Sequence, residues 1–219
     1  MKKIFLILTL VMAYAFAIQP AETWTVGQIG RYEPLTHANV TTEGGNVTQL
    51  NLTGNVSTEK WAGFWGDVAG NIVLAPNTTA IFYSWTWSPA NGGVVCAVAA
   101  QTGFDWTNLN PITATAIDTI WGFGTATDNA TNTLTTTCNI VVNNQSVTNS
   151  AGTTTGGSLT TCAIADSNTP TAKSDVAFCT TIQNNVPLFN GQNGDYELLT
   201  ATNAALGSTE TYYFWLELA

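Results

Sequence analysis

The chain has 219 residues, and its fourteen Asp and Glu outnumber its five Lys and Arg, which gives a formal net charge of −9. A surface this acidic repels phosphate backbones, so nucleic acid is excluded as a partner. Only 9% of the residues are charged, which is low for a soluble protein, so we expect Thr, Asn, Ser and attached glycans to keep the surface hydrated.

The N-terminus has the pattern of a secretory signal. Lys2 and Lys3 precede an apolar run, 4–17, that ends in Ala15-Phe16-Ala17, a small-x-small cleavage pattern. A membrane span needs about 20 apolar residues, so this run is too short to cross a bilayer. We therefore predict a cleaved signal at 1–17 and a mature chain with no transmembrane anchor. An uncleaved anchor is one alternative, and a pilin-type retained helix is another, which Ile4 directly after the lysines disfavours.

Residues 18–35 are predicted to form an extended arm ahead of a single β-domain at 36–219. Trp24 and Val26 alternate with polar residues, and together with Ile29 they give the arm apolar side chains. Such an arm has two fates. It pairs with its own sheet as an edge strand, or it fills a groove in a neighbouring copy by strand exchange.

Asn-x-Ser/Thr sequons are frequent, and in an exported chain they predict attached glycans. They lie at Asn39, Asn46, Asn51, Asn55, Asn77, Asn129 and Asn144. The first four fall within twenty residues, and there we expect the highest occupancy.

Short strands are predicted through the first half of the chain, at 46–53, 58–68, 71–75, 81–87 and 94–99. Gly63 and Gly66 interrupt strand periodicity, which favours an aromatic ring of a neighbouring strand lying over their backbone. Tyr83, Trp85 and Trp87 share one strand face, and we expect that face to be buried rather than exposed. The stretch 112–121 is either a short helix or a connection between sheets.

Further strands are predicted at 134–142, 158–164, 176–182, 196–200 and 211–218, with 148–157 as an exposed Thr/Gly/Ser loop. Four cysteines in an exported chain predict two disulfides, with three connectivities open: Cys96, Cys138, Cys162 and Cys179. We favour Cys138–Cys162 closing a hairpin and Cys96–Cys179 crossing the core. Many short strands separated by turns indicate an antiparallel β-sandwich, immunoglobulin-like or jelly-roll-like.

Several segments resemble a group of archaeal secreted surface proteins. They are Trp61–Gly66, Phe82–Trp85, Gly92–Ala97 and Thr209–Phe214. The resemblance covers most of the mature chain and implies an extracellular or cell-surface location, with no catalytic residues. More loosely, the chain is similar to archaeal extracellular filament subunits with a β-sandwich fold, which lend a strand to the next subunit.

No arrangement of residues predicts catalysis. The sole histidine, His37, has no nucleophile motif beside it, and nothing in the sequence pairs the acids near the aromatic segments, which are Glu59, Asp67, Asp105 and Asp118. No cofactor is expected. Structural calcium is a minor alternative at the oxygen-rich segments Asp128-Asn129, Asp166–Asn168 and Asp195–Glu197.

Together these features predict a secreted structural protein of the cell surface, a subunit of a filament or an envelope layer that self-associates through β-strand contacts. The alternative is a carbohydrate-binding or adhesive module that uses surface tryptophans. An enzyme ranks third.

Overall fold

The computed structural model describes residues 18–21, 23–32, 41, 43–51, 53–76, 80–205 and 207–219. The predicted signal at 1–17, His37 and the sequons at Asn39 and Asn77 lie outside the described residues.

The described residues contain two short α-helices, α1 (Ala114–Trp121) and α2 (Ala130–Thr133), and otherwise mainly strands. The strands are β1 (Gln19–Pro20), β2 (Trp61–Gly66), β3 (Asn71–Leu74), β4 (Tyr83–Thr86), β5 (Gly93–Val98), β6 (Asn110–Pro111), β7 (Thr136–Val142), β8 (Gln145–Thr154), β9 (Thr160–Ala165), β10 (Val176–Thr181), β11 (Val186–Pro187), β12 (Asn193–Gly194), β13 (Tyr196–Ala201) and β14 (Tyr213–Leu218).

Eight strands form one antiparallel sheet in the order β1-β14-β5-β10-β9-β8-β7, and β6 pairs with β9. Three two-stranded antiparallel sheets accompany it: β2–β13, β3–β4 and β11–β12. The predicted antiparallel all-β fold with two disulfides is therefore confirmed. The sandwich type stays a prediction.

The main sheet is buried on both faces. In β5, Val95 and Ala97 join a core that includes Trp61 and Phe178, whereas Val94, Cys96 and Val98 point to the opposite face. Side chains alternate along a strand, so an uninterrupted apolar run supplies both faces at once. The β2–β13 pair and α1 cover the first face.

The stretch 112–121 forms a helix, one of its two predicted alternatives. The Thr113 side chain caps it by accepting from Ala116 N at 3.3 Å, and the helix ends at Gly122, whose φ of 68° is left-handed. Ile117 and Trp121 bury its inner side.

The far end of the sheet folds back over the second face. Asn143 and Asn144, with φ of 48° and 57°, form the tight turn of the β7–β8 hairpin. At that turn Asn143 N donates to Glu217 Oε2 of β14 at 2.8 Å. The apolar side chains of the hairpin, such as Val142 and Val147, complete the second core.

Both favoured disulfides are present, but their placement was predicted incorrectly. Cys96 and Cys179 face each other on the adjacent strands β5 and β10, with Cα atoms 4.1 Å apart, so this bond does not cross the core. Cys138–Cys162 joins β7 to β9 across the intervening strand β8, so it does not close a hairpin. Gly152 of β8 lies beneath that bridge.

Two element predictions are wrong. The supposed loop 148–157 is mostly strand β8, in which Ser150, Ala151 and Gly152 are buried between neighbouring strands. The supposed strand 46–53 forms no ladder at its described residues, all of which are exposed. Alternation along 46–53 has no partner strand to pair with, whereas β8 is held by pairing on both of its edges.

Candidate assembly surface

The arm begins as an edge strand of its own sheet. Ile18 is buried in the second core, and β1 pairs with β14. Ala21 N donates to Phe214 O at 3.0 Å, which extends this pairing by one residue.

Beyond this anchor the arm runs over the surface. The side chains of Trp24, Val26 and Ile29 are 76%, 62% and 85% exposed. Within the described part of the chain, residues 23–30 form no hydrogen bond. The chain is fastened again at its far end, where Ser57 Oγ donates to Tyr32 O at 2.6 Å and Arg31 Nη2 lies 3.7 Å from Glu59 Oε1. The described part of the arm is therefore held at both ends, and its exposed middle carries apolar side chains.

A second exposed segment is the β3–β4 ribbon, residues 71–74 and 80–86. Its strands pair from Asn71 opposite Thr86 to Leu74 opposite Tyr83, and Phe82 N donates to Leu74 O at 2.8 Å. All eight strand residues are exposed. The exposed apolar side chains are Ile72, Val73, Leu74, Ile81, Phe82, Tyr83 and Trp85.

The ribbon overturns the predicted burial of one aromatic face. Tyr83 and Trp85 are 55% and 49% exposed, whereas Trp87 is buried and donates from Nε1 to Gly92 O at 3.1 Å. The Tyr83 and Trp85 rings contact each other, with centroids 4.8 Å apart. Because Tyr83 and Trp85 have the same parity along the strand, the sequence correctly predicted that their rings lie together. It did not predict that burial begins only at Trp87, after the end of β4.

The ribbon has no charged side chain that would keep another chain from pairing with its strand edges. The sequence has no charged residue between Asp67 and Asp105. Proteins usually block exposed strand edges with lysine or other charges, since unpaired backbone groups there recruit another chain. An uncharged ribbon with apolar side chains on both faces is the candidate interaction surface among the described residues. The long uncharged stretch was the sequence signal for this surface.

Two of the acids considered for calcium, Asp195 and Glu197, accept hydrogen bonds from backbone N–H groups and a hydroxyl. Asp195 accepts from Val68 N at 2.9 Å and from Asn185 N at 3.0 Å. Glu197, also buried, accepts from Phe189 N at 2.6 Å and from the Thr155 hydroxyl. These two carboxylates bind four loops, which contain Val68, Thr155, Asn185 and Phe189, to the start of β13.

Two other candidate acids also have structural roles. Asp118 accepts from Ala130 N at 2.6 Å and Thr131 N at 3.1 Å, at the start of α2. Asp128 accepts from the Thr58 hydroxyl at 2.6 Å. Within the described part of the chain, no group of three or more His, Cys, Asp or Glu is arranged to hold a metal ion.

Asp166 lies near two other acids on one loop surface. Burial, followed by the charges of Asp175 and Asp105, raises the pKa of Asp166 above its ordinary value. The Asp166 carboxylate accepts from Asp105 N at 3.2 Å.

The described sequons differ in how freely their side chains face solvent. The exposed ones are Asn46, Asn51, Asn55 and Asn144. Asn129 instead caps α2: its side chain accepts from Asn132 N at 2.9 Å, and its Nδ2 donates to Gly124 O at 3.2 Å. A glycan on that nitrogen would replace one of its two hydrogens beside an existing contact.

Of the other tryptophans, Trp61 and Trp121 are buried in the first core, and Trp65, Trp106 and Trp215 are half-buried. Only one of the two interrupting glycines has a ring over it. A Cβ on Gly66 would lie 3.5 Å from the Tyr196 ring, whereas Gly63 faces open space.

The chain matches no protein-family model, no curated protein and no solved structure. Among the described residues, no helix is long and apolar enough to cross a membrane. The arm and the ribbon are therefore interpreted from their own geometry.

Proposed function

We propose that this chain is an extracellular structural protein, a subunit of a filament or an envelope layer that assembles with copies of itself through β-strand contacts. The observation that carries the proposal is the β3–β4 ribbon, whose strand residues are all exposed although most are apolar. The resemblance to archaeal secreted surface proteins and the dense sequons support the same assignment.

Charge limits where a second copy can make contact. Loss of Lys2 and Lys3 with the signal would take the formal net charge from −9 to −11, so two bodies repel each other over most of their surface. The ribbon has no charge, and the arm at 18–35 carries Glu22, Arg31 and Glu33. A contact between the arm and the ribbon therefore brings no like charges together.

The arm and the ribbon are chemically suited to each other. Residues 23–30 of the arm are exposed and belong to no strand, and among the described strands β3 and β4 pair only with each other. Strand addition would supply main-chain hydrogen bonds, while Trp24 and Val26 on one face of the arm fix the register. Because donor and acceptor surfaces differ, the contact is head-to-tail and propagates into a polymer.

Arm variants test the proposal. A chain starting at Arg31 loses both β1 and the apolar middle, whereas serine at Trp24, Val26 and Ile29 leaves β1 in place. Both changes should stop polymerisation seen by electron microscopy, and added peptide 18–30 should bind the truncated protein. Val56→Ser is the matched control, because Val56 is 93% exposed but lies outside both segments. Unchanged polymers in the serine variant would refute the role of the arm.

Carbohydrate binding is the second candidate, favoured by the exposed Tyr83–Trp85 pair. Adjacent exposed rings can stack on sugar faces. A monomeric protein that binds polysaccharide, and loses binding in Trp85→Ala, would favour this function over assembly.

A further inference from the structure

We propose that signal cleavage after Ala17 creates an ion pair between the new α-ammonium group of Ile18 and the buried carboxylate of Glu217. The inference rests on the predicted cleavage position. It does not depend on self-association, since it concerns how the processed end of the chain is held.

The strand register brings the two groups together. Gln19 lies opposite Leu216 and Pro20 opposite Trp215, so the same register places Ile18 opposite Glu217. The bond from Ala21 N to Phe214 O fixes the alternation of hydrogen-bonded pairs. The Ile18–Glu217 pair is then of the non-hydrogen-bonded type, in which Cα atoms approach to about 4.5 Å.

Both side chains belong to the same face of the sheet. Ile18 packs in the second core, and Glu217 pairs with Val94, which also belongs to that core. Glu217 is only 9% exposed. A carboxylate at this depth needs a compensating partner, because burial of an unpaired charge is costly.

The described residues give Glu217 no cationic partner. Its recorded hydrogen bond comes from Asn143 N, a neutral donor, at 2.8 Å. A cavity of about 410 Å³ beside Glu217 is lined in part by Ala219, and none of its lining residues has a basic side chain. Burial, partly offset by the Asn143 hydrogen bond, raises the pKa of Glu217 above its ordinary value.

The three basic side chains that follow the signal are all engaged elsewhere. Arg31 pairs with Glu59, Lys60 lies over the Phe123 ring, and Lys173 Nζ lies 2.6 Å from Glu210 Oε1. The α-ammonium of Ile18 is therefore the cation that processing can supply to Glu217. The pair would fasten β1, β14 and the β7–β8 turn at one point.

The first measurement is the N-terminal sequence of the exported protein, which must begin at Ile18. The mature chain is then compared with one that begins at Ala17, in which the ammonium is displaced by one residue. Each is made with Glu217 and with Glu217→Gln, which keeps an acceptor for Asn143 but removes the charge. The extra residue should lower the midpoint of thermal unfolding when Glu217 is present and change it much less when the Glu217→Gln substitution is present.

Titration by NMR gives a second reading that does not require the Glu217→Gln variant to fold. In the mature chain the α-amino pKa of Ile18 should lie at least one unit above the ordinary value of about 7.7–8.0, which slows amine labelling at neutral pH about tenfold. The pKa of Glu217 should be lower in the mature chain than in the chain that begins at Ala17. A different N-terminus, an ordinary amine pKa, or equal destabilisation with and without the Glu217→Gln substitution would each overturn the proposal.

Discussion

Gly152 lies where the Cys138–Cys162 bridge crosses β8. A Cβ there would lie 2.8 Å from Cys138 Sγ and 2.8 Å from Thr161 O, and the backbone oxygen cannot move aside easily. Gly152→Ala should therefore lower the free energy of unfolding by about 1–3 kcal/mol through overpacking. Gly63→Ala is the matched control, because Gly63 is also a strand glycine but faces open space. Chemical denaturation of both variants measures the difference, and equal stabilities would contradict this packing.

Asn129 is the sequon that we expect to carry the least glycan. Its side chain makes two hydrogen bonds at the start of α2, while Asn46, Asn51 and Asn144 face solvent. Glycopeptide mass spectrometry of the native protein should show modification at the exposed sequons and little at Asn129. Full occupancy at Asn129 would mean that this helix is capped by another group.

At the residue scale, the sequence predicted which residues bond or lie together better than it predicted where they lie in the fold. The cysteine count predicted two bridges and left three connectivities open, and the favoured pairs are the ones present, but the strand between Cys138 and Cys162 was not predicted. Period-two alternation grouped Tyr83 with Trp85 because parity depends only on the chain. Whether that face is covered depends on the rest of the fold, so their exposure did not follow from the pattern.

At the scale of elements, Asp195 links the loop before the ribbon to the loop after β10. Its two oxygens accept from Val68 N and Asn185 N, so Asp195→Ala removes the acceptor of both donors. Val68 is buried whereas Asn185 is exposed to water, so the free energy of unfolding should fall by about 1–3 kcal/mol, mainly through Val68 N, and hydrogen exchange should speed up at both amides. The neighbouring exposed residue Asp67 gives the control, since Asp67→Ala should change neither. Unchanged exchange in Asp195→Ala would show that other contacts hold these loops.

The same scale shows why one strand was missed and another predicted in error. Strand β8 is rich in Thr, Ser and Gly, which usually indicates a loop. It forms because β7 and β9 pair along both edges, and because Ser150 accepts from Ile112 N at 2.9 Å. The segment 46–53 has better local alternation but no neighbour. The presence or absence of a pairing strand, and not local composition, decided both outcomes.

At the scale of the whole molecule, titration of Asp166 should make the protein more stable as the pH falls from neutral through the raised pKa of this carboxyl. Burial and the charges of Asp175 and Asp105 raise the pKa of Asp166, so the folded state binds this proton more tightly than the unfolded state. That stabilisation appears as the pH falls through the raised pKa. Below the ordinary value of 3.8, protonation of Asp105, whose pKa is lowered by hydrogen bonds from Thr107, should reverse the trend.

Thermal unfolding across this pH range measures the effect, and Asp166→Asn is the control. The variant keeps an acceptor for Asp105 N but cannot ionise, so the rise in stability as the pH falls from neutral towards the ordinary value of 3.8 should be smaller. An identical pH profile in the variant would assign the dependence to other carboxylates.

Sedimentation of the mature protein tests the central claim, assembly through the exposed apolar segments, most directly. The account predicts large particles for the mature chain and monomers for Phe82→Lys, because Phe82 is 81% exposed on the ribbon and a charge there opposes strand contact without disturbing the core. Val56→Lys adds the same charge elsewhere and should sediment as the mature chain does. A mature chain that stays monomeric at all concentrations, or Phe82→Lys particles of unchanged size, would contradict the account.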